Sequence, residues 1–123
     1  MPVPLLVVDG ANVVGSVPDG WWRDRAAAAI RLRDRLVAIT TAGLEDLPGP
    51  VEVVLVVEGK ARDIPQTDGV RVERAPGSGD DSIVAVVAAA EGRRVVVVTA
   101  DRALRTRVTA LGAEVIGPSS IPR

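Results

Sequence analysis

The stretch Leu5-Leu6-Val7-Val8-Asp9-Gly10-Ala11-Asn12 decides the fold, because a run of branched apolar residues ends abruptly in a carboxylate, a glycine and an asparagine. The run is too short for a buried helix and is bounded by Pro4 and Gly10. It therefore predicts a strand over residues 3–9 that is buried on both faces of a sheet. Asp9 then lies at the carboxyl end of the strand, the edge of an open parallel sheet at which ligands bind.

Further strands and helices alternate along the chain. Apolar runs and alternation predict strands over residues 51–57, 70–73, 95–98 and 113–116. Helical spacing predicts a first helix from Trp21 to about Thr40 that Gly43 ends, a second from Asp80-Asp81-Ser82 to near Gly92, and a third after Asp101 with Leu104, Val108 and Leu111 on its buried face and Gly112 at its end. Residues 10–20 and 47–50 are predicted as connecting segments. The alternation predicts one α/β domain over residues 1–123, with a mainly parallel sheet and helices on both of its faces.

The composition limits the chemistry that this chain can perform. Its 123 residues contain no histidine and no cysteine, so a metal ion would need oxygen ligands, which indicates Mg²⁺ or Mn²⁺ and not Zn²⁺. Lysine and arginine number 15 against 16 acids, so the overall charge does not indicate a nucleic-acid binder, although clustering on one face could. The chain shows neither a signal peptide nor an apolar run of membrane-spanning length, and we expect a cytoplasmic protein without membrane association.

Carboxylates follow the predicted strands at one edge of the sheet. Asp9 ends the first strand, Glu58 follows the second, Asp101 follows the strand over 95–98, and Asp80 and Asp81 begin a helix at the same edge. Such a like-charged group is costly unless cations neutralise it, so these five acids predict a Mg²⁺ or Mn²⁺ site. Each has a simpler interpretation: Asp80 and Asp101 as helix N-caps, and Glu58 as part of a turn. Asp9 has no predicted helix to cap.

Three blocks of sequence resemble the signature motifs of NYN-domain nucleases in the PIN-like superfamily, and the YacP-like branch is the most similar. The blocks are Val8-Asp9-Gly10-Ala11-Asn12-Val13, Gly77-Ser78-Gly79-Asp80-Asp81-Ser82-Ile83 and Val98-Thr99-Ala100-Asp101-Arg102-Ala103-Leu104. The resemblance implies a Rossmann-like, PIN-like α/β/α sandwich, a Mg²⁺ or Mn²⁺ site and hydrolysis of RNA. By position, Asp9, Asp81 and Asp101 match the metal-binding, catalytic acids. Asp80 matches a further acid, and Glu58 stands where an acid ends the second strand.

Other polar and aromatic residues near these acids are candidate contacts to an RNA substrate. Asn12 either orients Asp9 or a metal-bound water, or forms a local Asx-turn. Phosphates could be bound by basic residues that follow two of the acids, and a base could stack on one tryptophan while the other is buried as an anchor. These candidates are Lys60, Arg62, Arg102, Arg105 and Trp22, and each has an alternative as a surface or structural residue.

Three functions remain open on the sequence alone. The first is a metal-dependent ribonuclease, which agrees with the acids at positions 9, 81 and 101. The second is a non-catalytic RNA- or protein-binding module of the same fold, which the near-neutral charge favours. The third is a nucleotide phosphohydrolase that uses the same acids on a small substrate. A homodimer is compatible with any of them.

Overall fold

The computed structural model describes residues 3–122, so the outermost residues of the predicted domain, Met1, Pro2 and Arg123, lie outside it. The elements follow in the order β1 (Leu5–Asp9), α1 (Gly10–Gly15), α2 (Arg25–Ala42), β2 (Gly43–Leu44), β3 (Leu47–Pro48), β4 (Glu52–Val57), β5 (Val70–Arg74), α3 (Gly79–Ala89), β6 (Val95–Val98), α4 (Arg102–Thr109) and β7 (Glu114–Ile116). Three short 3₁₀ turns lie at Trp21–Arg23, Gly59–Ala61 and Pro118–Ser120. No helix among the described residues is long and apolar enough to cross a membrane.

The predicted strands form one parallel sheet in the order β5-β4-β1-β6-β7. The central strand β1 pairs on one side with β4 and on the other with β6, so that Leu6 lies between Val53 and Val96. All five residues of β1 are buried, as expected of a strand covered on both faces. The prediction of a parallel α/β sheet is confirmed.

Two apolar cores lie on opposite faces of the sheet, because successive side chains of a strand point to opposite faces. Leu6 and Val8 belong to the core beneath α2, together with its buried Leu32 and Leu36. Leu5, Val7 and their neighbours form the second core with buried residues of the other two helices, namely Ile83 and Val87 of α3 and Leu104 and Val108 of α4. The protein is therefore the three-layer α/β/α sandwich that was predicted.

The strand order reverses between β1 and β6, and this position sets the location of the site. The chain leaves β1 through α1 and α2 and returns to the sheet at β4, on one side of β1. It leaves β6 through α4 and returns at β7, on the other side. Divergent connections open a crevice at the carboxyl ends of the two strands, which is where open α/β sheets bind their ligands.

The prediction that residues 10–20 form a loop is wrong over its first half, where α1 occupies Gly10–Gly15. The glycines and Asn12 are typical of a turn, but Asp9 acts as the N-cap and accepts a hydrogen bond from the Asn12 backbone N at 3.4 Å. Gly10 lies so close to β4 that a Cβ atom there would be 2.6 Å from the backbone oxygen of Val56. The glycine thus marks close packing of α1 on the sheet and not a turn.

The start of the first long helix also differs from the prediction. Trp21–Arg23 form a 3₁₀ turn, and α2 begins only at Arg25, because Asp24 is extended (φ −150°, ψ 90°) and its carboxylate accepts a hydrogen bond from the Ala27 backbone N at 3.0 Å. The predicted end at Gly43 is confirmed by its φ of +71°.

Two smaller predictions near the ends of elements also differ from the structure. The connector over residues 47–50 contributes to a short antiparallel ladder between β2 and β3. Leu111 lies beyond the end of α4 and its side chain is 49% exposed, so only Leu104 and Val108 of the predicted apolar stripe pack on the sheet. Boundaries of this kind depend on tertiary packing more than on local pattern.

Candidate active site

Asp9 lies at the carboxyl end of β1, next to β6, in the crevice where the strand order reverses. Asp9 and Thr99 are the two buried polar side chains among residues 3–122, at 6% and 3% exposure. The Thr99 hydroxyl donates a hydrogen bond of 2.8 Å to Oδ2 of Asp9, while Oδ1 accepts from the Asn12 backbone N. Because its two partners lie on different elements, the orientation of the Asp9 carboxylate is fixed by the fold.

Asn12 ties the start of α1 to the segment that follows β6. Its side-chain Oδ1 accepts a hydrogen bond of 2.8 Å from the Ala100 backbone N. The side chain therefore does not form the local Asx-turn that was one of the two alternatives, and Asn12 supports Asp9 through its backbone N instead. Thr99 completes the connection, since its hydroxyl oxygen accepts from the Asp101 backbone N at 3.1 Å.

Asp101 is both a helix cap and a neighbour of Asp80. Its Oδ1 accepts a hydrogen bond of 2.9 Å from the Leu104 backbone N, so the predicted N-cap of α4 is confirmed. The side chain is half-buried and lies near enough to Asp80 to raise the pKa of that carboxyl. Capping uses one carboxylate oxygen and leaves the acceptor capacity of the other.

Glu58 connects the end of β4 to the start of α3. Its Oε2 accepts a hydrogen bond of 2.6 Å from the Gly79 backbone N, one of the donors at the helix N-terminus that have no partner within the helix. A Cβ atom at position 79 would lie 3.1 Å from Cδ of Glu58, so the glycine allows the carboxylate to approach this closely. The interpretation of Glu58 as part of a turn is confirmed, since its backbone carbonyl accepts a hydrogen bond of 3.2 Å from the Ala61 backbone N, but its side chain also reaches the start of α3.

Asp80 and Asp81 are adjacent in sequence but lie in different surroundings. Burial raises the pKa of Asp80, and the carboxylates of Asp101 and Glu58 raise it further, against a smaller opposing effect of Arg107. The Asp81 side chain is 75% exposed, forms an ion pair of 3.0 Å with Arg107 and lines an open groove with Glu73. Successive helix residues point about 100° apart, which separates the two acids.

Four of the five predicted acids, Asp9, Glu58, Asp80 and Asp101, each lie near enough to at least one of the others for their charges to interact, and we call these four the carboxylate cluster. Burial raises the pKa of Asp9, hydrogen bonds from Thr99 and Asn12 oppose this, and the charges of Asp80 and Glu58 add to the rise. Within residues 3–122, however, no three acidic side chains are close enough together to form a ready-made metal site. The four acids therefore interact through charge and do not form a closed coordination shell.

The predicted phosphate-binding residues lie on the surface around this edge. Arg102 and Arg105 are exposed on α4, and Lys60 and Arg62 are exposed in and just after the 3₁₀ turn Gly59–Ala61. Arg62 makes a long ion pair of 4.0 Å with Asp63. None of the four forms an ion pair with the carboxylate cluster among the described residues.

A cleft of about 470 Å³ adjoins the cluster on the side of Glu58, and we call it the Trp21 cleft. Its lining includes the half-buried Trp21, the guanidinium of Arg25 at 5.4 Å from the centre of that ring, and Ser78. Trp22, the predicted stacking residue, is 55% exposed and does not line the cleft. The expectation that one tryptophan is buried is wrong, because the 3₁₀ turn leaves Trp21 half-buried and Trp22 exposed, with the two rings in a T-shaped pair.

Sequence reasoning missed the supporting residues Thr99, Gly79 and Arg25. A threonine directly after a fully buried valine strand could have indicated the first, because a buried hydroxyl needs a hydrogen-bond partner. The contact of Gly79 with Glu58 spans 21 residues, and that of Arg25 with Trp21 depends on the 3₁₀ turn; neither has a signal in the local pattern.

Replacing Thr99 with valine should destabilise the protein at neutral pH, because Asp9 Oδ2 loses its donor while it stays buried. The cost of such an unsatisfied group is about 1–3 kcal/mol. Thermal denaturation in EDTA measures the loss. Thr109→Val is the control, since the Thr109 hydroxyl is exposed and bonds only within its own helix. An equal loss in both variants would contradict the role of Thr99.

Comparison with known proteins supports the fold. Neither a protein-family model nor a curated protein matches the sequence. A solved structure of Rae1 (YacP) from Bacillus subtilis superposes with a TM-score of 0.75 at 18% identity, covering 98% of this chain and 71% of that one. The structure of a tryptophan-to-leucine variant of Rae1 superposes with a TM-score of 0.71 at 16% identity, covering 94% of this chain and 70% of the variant. This chain therefore has a YacP-like fold, the PIN-like α/β/α sandwich implied by its sequence motifs.

Proposed function

We propose that this protein is a metal-dependent ribonuclease that hydrolyses RNA phosphodiester bonds at the carboxylate cluster. The observation that carries the proposal is the convergence of Asp9, Glu58, Asp80 and Asp101 from four separate segments on the crevice of a nuclease-type fold. The pKa values of Asp9 and Asp80 are both raised by burial and by neighbouring carboxylates, so the ionised cluster is unfavourable without a cation. Ionisable groups perturbed in this way are typical of functional sites.

The donor set fits Mg²⁺ or Mn²⁺. All four side chains offer oxygen atoms, and the sequence contains neither histidine nor cysteine to attract softer ions. Mg²⁺ commonly binds to one or two carboxylates and completes its shell with water and substrate phosphate, so three ready-made protein ligands are not required. When bound, such an ion neutralises phosphate charge and lowers the pKa of a coordinated water.

The residues of the chain itself perform the positioning. Thr99 and Asn12 hold Asp9 at the crevice, and the N-cap of α4 holds Asp101, so two carboxylates keep their orientation without a ligand. Asp80, which forms no ion pair among the described residues, is the acid with most freedom to turn toward a bound cation. In this proposal Asp80, and not Asp81, joins Asp9 and Asp101, because Arg107 already pairs with Asp81.

The surroundings of the cluster suit an unstacked nucleotide. A half-buried tryptophan and a guanidinium form part of the Trp21 cleft next to Glu58, and single-stranded nucleic acids bind largely by stacking on aromatic rings. We propose that Trp21 takes the role expected of Trp22. Exposed basic side chains, Arg102 and Lys60 among them, would contact phosphates along the same edge.

A non-catalytic RNA-binding module of the same fold is the second candidate. One observation favours it: the carboxylate of Glu58 is engaged by the Gly79 backbone N, and no group of three acids is preassembled among residues 3–122. In that case RNA would bind without any dependence on divalent ions, which separates the two functions.

The proposal is tested by comparing Asp80→Asn with Asp81→Asn in a cleavage assay. A fluorescent single-stranded RNA is incubated with each variant in Mn²⁺ and in EDTA, and the products are separated on a gel. Asp80→Asn should lose at least about tenfold in rate, the lower end of what the loss of a supporting hydrogen-bond partner of a metal ligand costs, whereas Asp81→Asn should cleave nearly as fast as wild type. Greater impairment of Asp81→Asn would contradict the assignment. RNA binding without cleavage, unaffected by EDTA, would support the binding module.

A further inference from the structure

Arg35 on α2 is a sheltered arginine without a protein partner. Its Nε is buried and forms no hydrogen bond within residues 3–122, and no carboxylate in that range pairs with its guanidinium. Other sheltered arginines are satisfied: Arg33 donates to the Pro65 carbonyl and to Asp34, and Arg93 donates to the Val3 carbonyl and to Glu52. Burying a cationic donor without a partner is unfavourable, and an anionic ligand would supply the acceptor that the Arg35 Nε lacks.

Arg35 lines a pocket of about 270 Å³, which we call the Arg35 pocket. Four segments line it: the end of α1, α2, the residues after β6, and the 3₁₀ turn Pro118–Ser120. Ala100 belongs to this lining, and its backbone N bonds to Asn12, so the pocket adjoins the edge that carries Asp9 and Asp101. The Arg35 pocket and the Trp21 cleft are lined by different residues of α1.

We propose that the Arg35 pocket binds a phosphate group. A guanidinium offers several donors in a planar arrangement that matches phosphate oxygens. The hydroxyl of Ser119 in the same lining adds a further donor, whereas that of Ser16 is already used, donating to the Val13 carbonyl at 2.6 Å. The part of the inference that concerns RNA rests on the proposed function. In that case one backbone phosphate of the RNA lies at the carboxylate cluster and a neighbouring phosphate lies in the Arg35 pocket. The two contacts together fix the path of the RNA past Ala100.

The test compares Arg35→Gln with Arg31→Gln, which removes an equal charge from an exposed position one turn earlier on α2. In the first arm, the dissociation constant of a short single-stranded RNA is measured in EDTA, so that no cleavage occurs, at several salt concentrations. Arg35→Gln should raise this dissociation constant about tenfold. It should also lower the slope of the logarithm of the dissociation constant against the logarithm of the salt concentration by about 0.7, the contribution of one phosphate contact. Arg31→Gln should change both much less.

In the second arm, the melting temperature is measured in sodium phosphate and in sodium chloride of equal ionic strength. A wild-type increase specific to phosphate, lost in Arg35→Gln and kept in Arg31→Gln, would show that the pocket also accepts a free phosphate. An effect in the RNA arm alone assigns it to the nucleic-acid backbone, and an effect in the phosphate arm alone assigns it to phosphate or a mononucleotide. If Arg35→Gln matches Arg31→Gln in both arms, the inference is wrong.

Two further readouts distinguish a phosphate-binding Arg35 from a structural one, and the Arg35 pocket from the carboxylate cluster. A purely structural Arg35 would lower the melting temperature when replaced, whereas removal of an unpaired buried donor should not; Arg35→Lys serves if the glutamine variant fails to fold. Failure of the proposed function has a different signature. If the protein cleaves RNA but Arg35→Gln has no specific effect, the phosphate pocket is wrong and the nuclease proposal stands. If Arg35→Gln specifically weakens binding but no RNA is cleaved, the phosphate pocket stands and the nuclease proposal is wrong.

Discussion

Asp9→Asn is expected to abolish divalent-dependent RNA cleavage and, in EDTA, to raise the melting temperature of the protein. If Asp9 contacts a metal ion as proposed, its loss should cost at least about 100-fold in rate, the upper end of what the loss of a supporting hydrogen-bond partner of a metal ligand costs. Stability should increase because the buried Asp9 carboxylate, near Asp80 and Glu58, is more easily accommodated as a neutral amide.

The gain in stability should depend on pH. Burial raises the folded-state pKa of Asp9 above its ordinary value of 3.8, so the folded protein binds the proton more tightly than the unfolded chain does. The stabilising contribution of that proton is fully present below pH 3.8 and is lost as the pH rises through the folded-state pKa. The advantage of Asp9→Asn over wild type should therefore be largest at neutral pH and should shrink on acidification.

Cleavage gels and thermal melts from pH 4 to pH 8, a range of about 4 units that begins near the ordinary carboxyl pKa, measure both effects. Asp19→Asn is the matched control, since Asp19 is exposed in the segment after α1 and loses the same charge. Equal cleavage by Asp9→Asn and wild type would exclude the carboxylate cluster as the catalytic site. A melting temperature that falls in EDTA would contradict the electrostatic argument.

The second large effect expected is a saturable rise of the melting temperature with Mg²⁺ or Mn²⁺. An ion that binds only the folded state adds about 2.7 kcal/mol to the free energy of unfolding when its concentration is 100 times its dissociation constant. For a chain of this size, each kcal/mol corresponds to roughly 4 °C. The rise should disappear in the triple variant Asp9→Asn, Asp80→Asn, Asp101→Asn, because the cluster then lacks three of its four charges.

Replacing Asp80→Asn by Asp81→Asn in that triple variant gives the control, which should keep a partial response through Asp80. Measurements with a short RNA present are included, because Mg²⁺ sites often fill only with substrate phosphate. A rise that grows without saturation, or that persists in the first triple variant, would indicate general screening by ions and not a site at the cluster.

The sheet could be predicted from the sequence because its strands are valine-rich runs with abrupt ends. Residues 95–98 show this best: four valines, all buried, at the bounds that the pattern predicts. α1 could not be predicted, because Gly10 is there to allow contact with the Val56 backbone, and a contact across 46 positions leaves no local signal. The prediction that α2 starts at Trp21 was wrong because the chain offers a better start three residues later. Asp24 caps the helix with its carboxylate, whereas the two tryptophans supply no cap.

The sequence predicts the edge of the sheet at which the candidate site lies, but not which side chains face one another there. Strand ends placed Asp9, Glu58 and Asp101 at one edge, as the parallel topology requires. The choice between Asp80 and Asp81 depends on the rotation of α3 about its axis, which is set by packing of Ile83 and Val87 on the sheet. No motif contains that rotation, so the resemblance alone could not indicate which acid faces the cluster.

The bond between Glu58 and the Gly79 backbone N makes the residue allowed at one of these positions depend on the residue at the other. An aspartate at 58 is one methylene shorter and would leave the Gly79 N–H without its partner, whereas any side chain at 79 would meet the glutamate at 3.1 Å. A library randomised at both positions and selected for folding should therefore return the pair Glu and Gly far more often than the single preferences predict. Such covariation would record how an acid at the edge of one strand sets the start of a helix 21 residues later.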